Sequence, residues 1–216
     1  DTLIFDSHTP GGARFLHHSS DAGVMTKIAA NNWDHVVLQA QSQEPSWGLG
    51  QLQLEVFPHA KILADTIRHY NVCSEPMFYM TWGRKNGDAS NCQFAPWVCT
   101  YQGMDSALRA SYTYMADVNN SEISPVGPVW RYIRNNYSNI ELYSSDESHP
   151  SLAGSYAAAL AFYTVIFDKD PSQITWNSTL NDKVADSIKV ATKRVVFDSL
   201  SYWNHTINQS ITNLNY

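Results

Sequence analysis

Apolar residues recur along this chain in two rhythms. Four short runs read as strands: Thr2 to Phe5, His35 to Gln39, Met77 to Trp82 and Ile140 to Ser144. Between them lie helical stripes. Leu54 to Tyr70 sets Phe57, Ile62, Leu63 and Ile67 near one face, and Met104 to Val118 and Val129 to Asn136 repeat the pattern. The Ala-rich run Ser151 to Phe167 places Leu152, Tyr156, Leu160 and Tyr163 on an inward face, with Pro150 suited to the helix's first turn. Val184 to Leu200 forms a last amphipathic stripe. Strands alternating with helices predict an α/β fold, a parallel sheet with helices on both faces.

In such sheets ligands bind beyond the carboxyl ends of the strands. The polar clusters fall at those positions: "DSHTPGG", "AQSQEPS", "GRKNGD" and "SDESHP" each follow one of the four runs. Four loops far apart in sequence are thereby predicted to meet at one edge. Arg84 to Gly103 is a long irregular insertion that reads as a lid or site wall. There is no internal repeat and no linker, so residues 1–216 are expected to form a single domain.

Composition narrows the partners. Hydrophobic residues make up 44 % of the 216 and charged residues 16 %, the balance of a folded domain with one core. The net charge of -6 comes without a Lys/Arg cluster, which argues against nucleic acid as a partner. No apolar run reaches the roughly 20 residues of a membrane span. Seven Trp, twelve Tyr and tracts of Asn and Ser suggest a secreted or periplasmic protein that meets carbohydrate. Cys92 and Cys99 can close a short disulfide in an exported protein, leaving Cys73 over; three reduced thiols are the other reading. Sequons at Asn119, Asn136, Asn177, Asn204 and Asn208 are what abundant Asn, Ser and Thr produce by chance.

The chemistry concentrates in the loops. A histidine acting as general base needs a partner on its second ring nitrogen, and Asp146, three residues before His149, is placed to supply it. The competing reading makes Asp146 a turn cap and His149 a packing residue. Acyl transfer also needs donors for the oxyanion. The Gly11–Gly12 pair offers backbone N–H groups and Gln41 a side-chain amide; a turn glycine and a solvated Gln are the plain alternatives. His8 and Trp82 are candidate substrate contacts, and Trp47 and Trp97 lie beside the same loops. His17, His18 and Asp21 form no convincing ligand set, so no metal and no cofactor are expected.

Together these loops resemble the SGNH/GDSL hydrolase superfamily. "DESHPSLAGSYAAAL" is similar to its last block, which implies Asp146 and His149 as triad members. "TPGG" resembles the block whose glycine amide joins the oxyanion hole, implying Gly12. "WDHVVLQAQSQEP" resembles the block ending G-x-N-D, with Gln39, Gln41 and Ser42 in place of Gly, Asn and Asp. The resemblance implies a three-layer α/β/α sandwich with a flavodoxin-like sheet, and a bacterial, exported branch.

The family's nucleophile block after the first strand has no counterpart here. Phe5-Asp6-Ser7 imitates it, but the interval from Gly12 to Gln41 matches the family's spacing of about thirty residues, which makes Thr2 to Phe5 the second strand. The nucleophile strand is then expected upstream of Asp1, in an N-terminal segment of the same protein. In the strand order 2-1-3-4-5 its omission leaves neighbours about 9.5 Å apart, a gap no sheet sustains. The leading expectation is a serine esterase that removes acyl groups, chiefly acetyl, from a glycan or small ester. The alternative is a carbohydrate-binding relative that has lost its nucleophile.

Overall fold

The computed structural model describes residues 3–203. In chain order it forms α1 (Phe15–His18), α2 (Ala22–Ala29), β1 (His35–Leu38), α3 (Leu49–Glu55), α4 (Phe57–Tyr70), β2 (Glu75–Tyr79) and α5 (Tyr101–Asn119). β3 (Glu122–Ser124), α6 (Val126–Asn136), α7 (Leu152–Phe167), α8 (Asp182–Val195) and α9 (Leu200–Trp203) follow. Asn204 and Asn208 lie outside the described residues.

The three strands form a parallel sheet in the order β1-β2-β3, with Val37 opposite Met77 and Phe78 opposite Ile123. Neighbouring side chains on a strand face opposite sides. Phe78 meets Phe15 of α1, whereas Tyr79 meets Phe162 of α7, so helices cover both faces. Burial on both faces is why β2 reads as a continuous apolar run, with Met77 and Phe78 fully buried. The architecture is thus α/β with helices flanking a parallel sheet.

Several predicted elements differ. Residues 3–5 form no strand; Leu3, Ile4 and Phe5 stand exposed, without the neighbour that strand pairing requires. Ile140 to Ser144 is not a strand either, and makes a single antiparallel bridge, Tyr143 with Pro150. Pro150 therefore precedes the helix it was expected to open: Ser151 is the N-cap of α7, its hydroxyl accepting from Gly154 N. The short strand β3 was too brief to show a period. The stripe over Leu54 to Tyr70 is two helices, parted at Val56, with Pro58 in the first turn of α4 where a missing donor is harmless.

The α7 face also differs. Tyr156 and Leu160 are buried as the stripe predicts, but Leu152 is exposed and Tyr163 only half-buried, and the helix also buries Ala153, Ala157, Ala161 and Thr164. Small side chains let α7 come close to the segment leading into the Asp146–His149 turn. A Cβ on Gly154 would lie 2.3 Å from the Leu142 carbonyl oxygen and 2.5 Å from Trp130. Gly154→Ala gains about 1 kcal/mol of helix propensity, but the forced backbone shift costs about 1–3 kcal/mol. The clash wins, and urea unfolding should show a net loss; a stabilised variant would contradict this close approach.

At the amino ends of the strands, away from the polar loops, His35 Nδ1 sits 3.4 Å from Glu122 Oε2. The Glu122 carboxylate outweighs the partial burial of the ring and raises the His35 pKa above 6.5. A raised histidine adds stability that is complete below 6.5 and lost as pH climbs through the folded-state value. Unfolding free energy should therefore fall across that window in the wild type more than in His35→Gln, as followed by urea denaturation at stepped pH.

Candidate active site

The Asp146–His149 turn is built by a single carboxylate. Asp146 Oδ1 accepts from the backbone N–H groups of Ser148 (3.0 Å) and His149 (2.9 Å), while Oδ2 meets His149 Nδ1 at 2.5 Å. Asp146 thus both caps the turn and orients the ring, and His149 is exposed rather than packed under the helix. Glu147 takes a left-handed conformation, φ 58°, and Ser144 N–H bonds to the His149 carbonyl to close the loop. The bond to His149 and the two backbone donors pull the Asp146 pKa down to about 2. An ionised carboxylate only accepts, so Nδ1 carries a proton, and in the neutral ring the lone pair falls to Nε2. Nε2 has no partner among the described residues, and the ring is 80 % exposed. An exposed ring nitrogen of this kind can accept a proton from a group brought within hydrogen-bond reach.

The loop after β2 holds this turn in place. Lys85 N–H donates to the Glu147 carbonyl (3.0 Å), Asn86 Nδ2 to Glu147 Oε2 (2.8 Å) and Trp82 Nε1 to the Ser148 carbonyl (3.0 Å). Trp82 stacks on Trp130 at 3.9 Å, so one of its faces is covered. The Tyr143 hydroxyl donates to the Gly83 carbonyl at 2.7 Å, tying the two segments from beneath.

The insertion joins this loop to the one after β1. Asp88, 1 % exposed, accepts from Gln43 Nε2 (2.7 Å), Asn91 Nδ2 (2.7 Å) and Arg84 Nη1 (3.2 Å). Trp97 Nε1 donates to the Ser46 carbonyl (2.8 Å), and Cys92 and Cys99 are disulfide-bonded, leaving Cys73 free and exposed. The insertion is therefore a pinned wall of the site. Gln41 caps its own turn: Oε1 accepts from Gln43 N–H (2.8 Å) and Glu44 N–H (3.2 Å), which turns Nε2 toward Gln43 Oε1 (3.2 Å) and Ser42 Oγ (3.5 Å).

The Gly12 loop is anchored through its neighbour. Arg14 Nε donates to Glu44 Oε1 (2.9 Å) and Nη2 to Glu55 Oε2 (2.5 Å), with the guanidinium 4.6 Å over the Trp47 ring. Glu44 is fully buried and also accepts from Phe15 N–H at 3.3 Å. Gly12 itself has φ +72°, a conformation that favours glycine, and its N–H has no partner among the described residues. His8 lies apart from this chain of bonds, its Nε2 3.1 Å from Asp21 Oδ2 at the start of α2.

Polar contacts thus run from Arg14, beside Gly12, through Glu44, Gln41, Gln43 and Asp88 to Arg84, and the main chain carries on to Lys85 and Asn86, which bond Glu147 in the His149 turn. Arg14, Gln43, Glu44 and Asp88 were not singled out from the sequence. Their types are ordinary for loops, and only burial reveals their part; no described group of three or more His, Cys, Asp or Glu residues can hold a metal ion.

No protein-family model and no curated protein sequence matches the chain. Solved structures do. A DUF4886 family protein from Bacteroides uniformis superposes with a TM-score of 0.74 at 13 % identity, over 89 % of this chain and 81 % of that one. A protein from Slackia heliotrinireducens described as "a putative SGNH hydrolase" superposes with a TM-score of 0.59 at 24 % identity, over 72 % of this chain and 80 % of that one. The fold is accordingly SGNH-hydrolase-like.

A carbon-detected NMR titration should find the Asp146 carboxyl midpoint near 2 in the wild type. In His149→Ala it should rise toward 3.8 yet stop short, because the backbone bonds from Ser148 and from residue 149 remain. An unchanged midpoint would mean that the ring does not load this carboxylate.

Proposed function

We propose that the protein is a serine esterase that removes acyl groups, chiefly acetyl, from a glycan or small ester. The observation that carries this reading is the Asp146–His149 pair, with His149 Nε2 unpartnered and two candidate oxyanion donors on loops tied to the same turn. A serine Oγ attacks the ester carbonyl and gives its proton to His149 Nε2. The oxyanion receives Gly12 N–H and Gln41 Nε2–H. Collapse expels the alcohol, which takes the proton from His149, and water then releases the acid by the same steps in reverse.

The serine is assigned to a strand that docks on the outer edge of β1. Three features support that place. Among the described residues β1 has no neighbour on that side. Val37 is 44 % exposed although Met77 beside it is fully buried, so the layer that covers β2 stops short of β1. Leu3, Ile4 and Phe5 are also bare, as a strand without its partner would be. Ser7 serves poorly as the nucleophile, since it makes no contact with His149 among the described residues. An N-terminal segment of the same protein is the proposed source.

The Cys92–Cys99 disulfide supports a secreted or periplasmic location. The glycan rests on composition: of the tryptophans near the loops, Trp47 lies under Arg14 and Trp82 against Trp130, so Trp82 offers a sugar one face only. The second reading, a carbohydrate-binding relative without a nucleophile, draws on the same unpartnered Nε2.

The intact protein should hydrolyse an aryl acetate, and His149→Ala should slow it by about 10⁴-fold or more with circular dichroism unchanged, because the ring is exposed. Ser7→Ala should leave the rate within about twofold. Loss of all activity in Ser7→Ala would make that serine the nucleophile. An inactive wild type that still binds acetylated glycans would favour the binding protein.

A further inference from the structure

We propose that Asp88 is a positioning residue, and that by orienting Gln43 it supplies the acceptor that holds the Gln41 amide nitrogen in place. The inference rests on the acyl-transfer reading for its purpose, but the relay stands on geometry alone. A primary amide has a donor end and an acceptor end, and nothing in its shape decides between them. Along this chain of contacts two kinds of group decide: the Asp88 carboxylate, which only accepts, orients Gln43, and the backbone N–H groups of Gln43 and Glu44, which only donate, orient Gln41.

Asp88 is buried, and its Oδ2 takes Gln43 Nε2 and Asn91 Nδ2 at 2.7 Å each while Oδ1 takes Arg84 Nη1. Burial works to raise its pKa, but the bonds from Asn91 and Gln43 and the Arg84 charge outweigh it and hold the carboxyl below the ordinary value. Because Gln43 must turn its NH₂ to this anion, its Oε1 faces the other way and accepts from Gln41 Nε2. Gln41 Oε1 is held in turn by the N–H groups of Gln43 and Glu44. Both ends of the Gln41 amide are then assigned, and its second N–H faces only Ser42 Oγ, at a long 3.5 Å, from which it can turn to a ligand oxygen.

An Asn at position 88 makes the test sharp. It has one donor end, and the Arg84 cation repels that end from the Oδ1 position, so the new NH₂ falls where Oδ2 was. It then confronts both Gln43 Nε2 and Asn91 Nδ2, donor against donor. Gln43 flips to offer its oxygen, so Gln41 Nε2 loses its acceptor there and is held only by Ser42 Oγ at 3.5 Å. Adding Gln43→Glu to Asp88→Asn restores the Gln43 side of the relay, because a carboxylate accepts at both ends, from the new amide and from Gln41.

The readout that does not depend on hydrolysis is hydrogen exchange of the Gln41 side-chain amide, assigned by its disappearance in Gln41→Glu. Exchange should be about tenfold faster in Asp88→Asn and should return toward the wild-type rate in Asp88→Asn/Gln43→Glu. In the intact protein, kcat on an aryl acetate should fall by about 10²-fold in Asp88→Asn with KM nearly unchanged, and recover in the double variant. Should Asp88→Asn not fold, Gln43→Met interrupts the relay while leaving Asp88 with Arg84 and Asn91, and should speed Gln41 exchange equally.

Unchanged Gln41 exchange in Asp88→Asn or Gln43→Met, or no recovery in the double variant, would overturn the relay. Exchange that follows the expected pattern in a protein whose wild type hydrolyses no ester would uphold the relay and count against the esterase reading. His149→Ala distinguishes the two directly, since it abolishes hydrolysis without touching Gln41 exchange.

Discussion

A charge removed from water must be met by hydrogen bonds or an opposite charge, and two carboxylates under the polar loops impose that condition on the whole edge of the sheet. Glu44 is fully buried and Asp88 nearly so. Glu44 draws in Arg14 and the N–H of Phe15, and so fixes the approach of the Gly12 loop. Asp88 draws in Gln43, Asn91 and Arg84, and so clamps the insertion to the loop after β1. The remaining loops have little freedom once those demands are met. Such pairs contribute modestly to net stability, because desolvation offsets most of the attraction, yet removing one partner strands the other at a cost of several kcal/mol. Their effect is to specify one arrangement of the edge.

The sheet supplies the frame on which these loops converge. With β1, β2 and β3 parallel, their carboxyl ends share one side, and each following loop starts from there. α7 holds the His149 turn from the far side, its glycine and alanines permitting close contact with Leu142 and Trp130. The exposed imidazole is thus mounted on a rigid base. A short side chain in a turn would ordinarily sample several rotamers, but Asp146 bonds both the turn's backbone and the ring, which leaves the free nitrogen pointing outward.

Much of this was legible in the sequence because it depends on local pattern. Strands such as His35 to Leu38 and the helix after His149 carry clear periods, and D-x-x-H-P followed by an Ala-rich run marks the turn. Other features depended on partners distant in sequence. Thr2 to Phe5 has the composition of a strand, but residues 3–5 pair with nothing, and composition cannot form a sheet alone. Ile140 to Ser144 has the same apolar character, yet it is held by side-chain and bridge contacts. The Asp88 relay was invisible for a further reason: Gln43, Asp88 and Arg84 look like solvated loop residues until burial makes their hydrogen bonds obligatory.

The central claim is that the base His149 and the donors on the neighbouring loops serve a serine carried on a strand beside β1. The measurement that tests it most directly is covalent labelling of the intact protein with a fluorophosphonate, followed by peptide mapping. The account predicts one adduct, on a serine outside residues 3–203, formed in the wild type and suppressed in His149→Ala. An adduct on Ser7 or Ser42, or labelling that persists without His149, would contradict it.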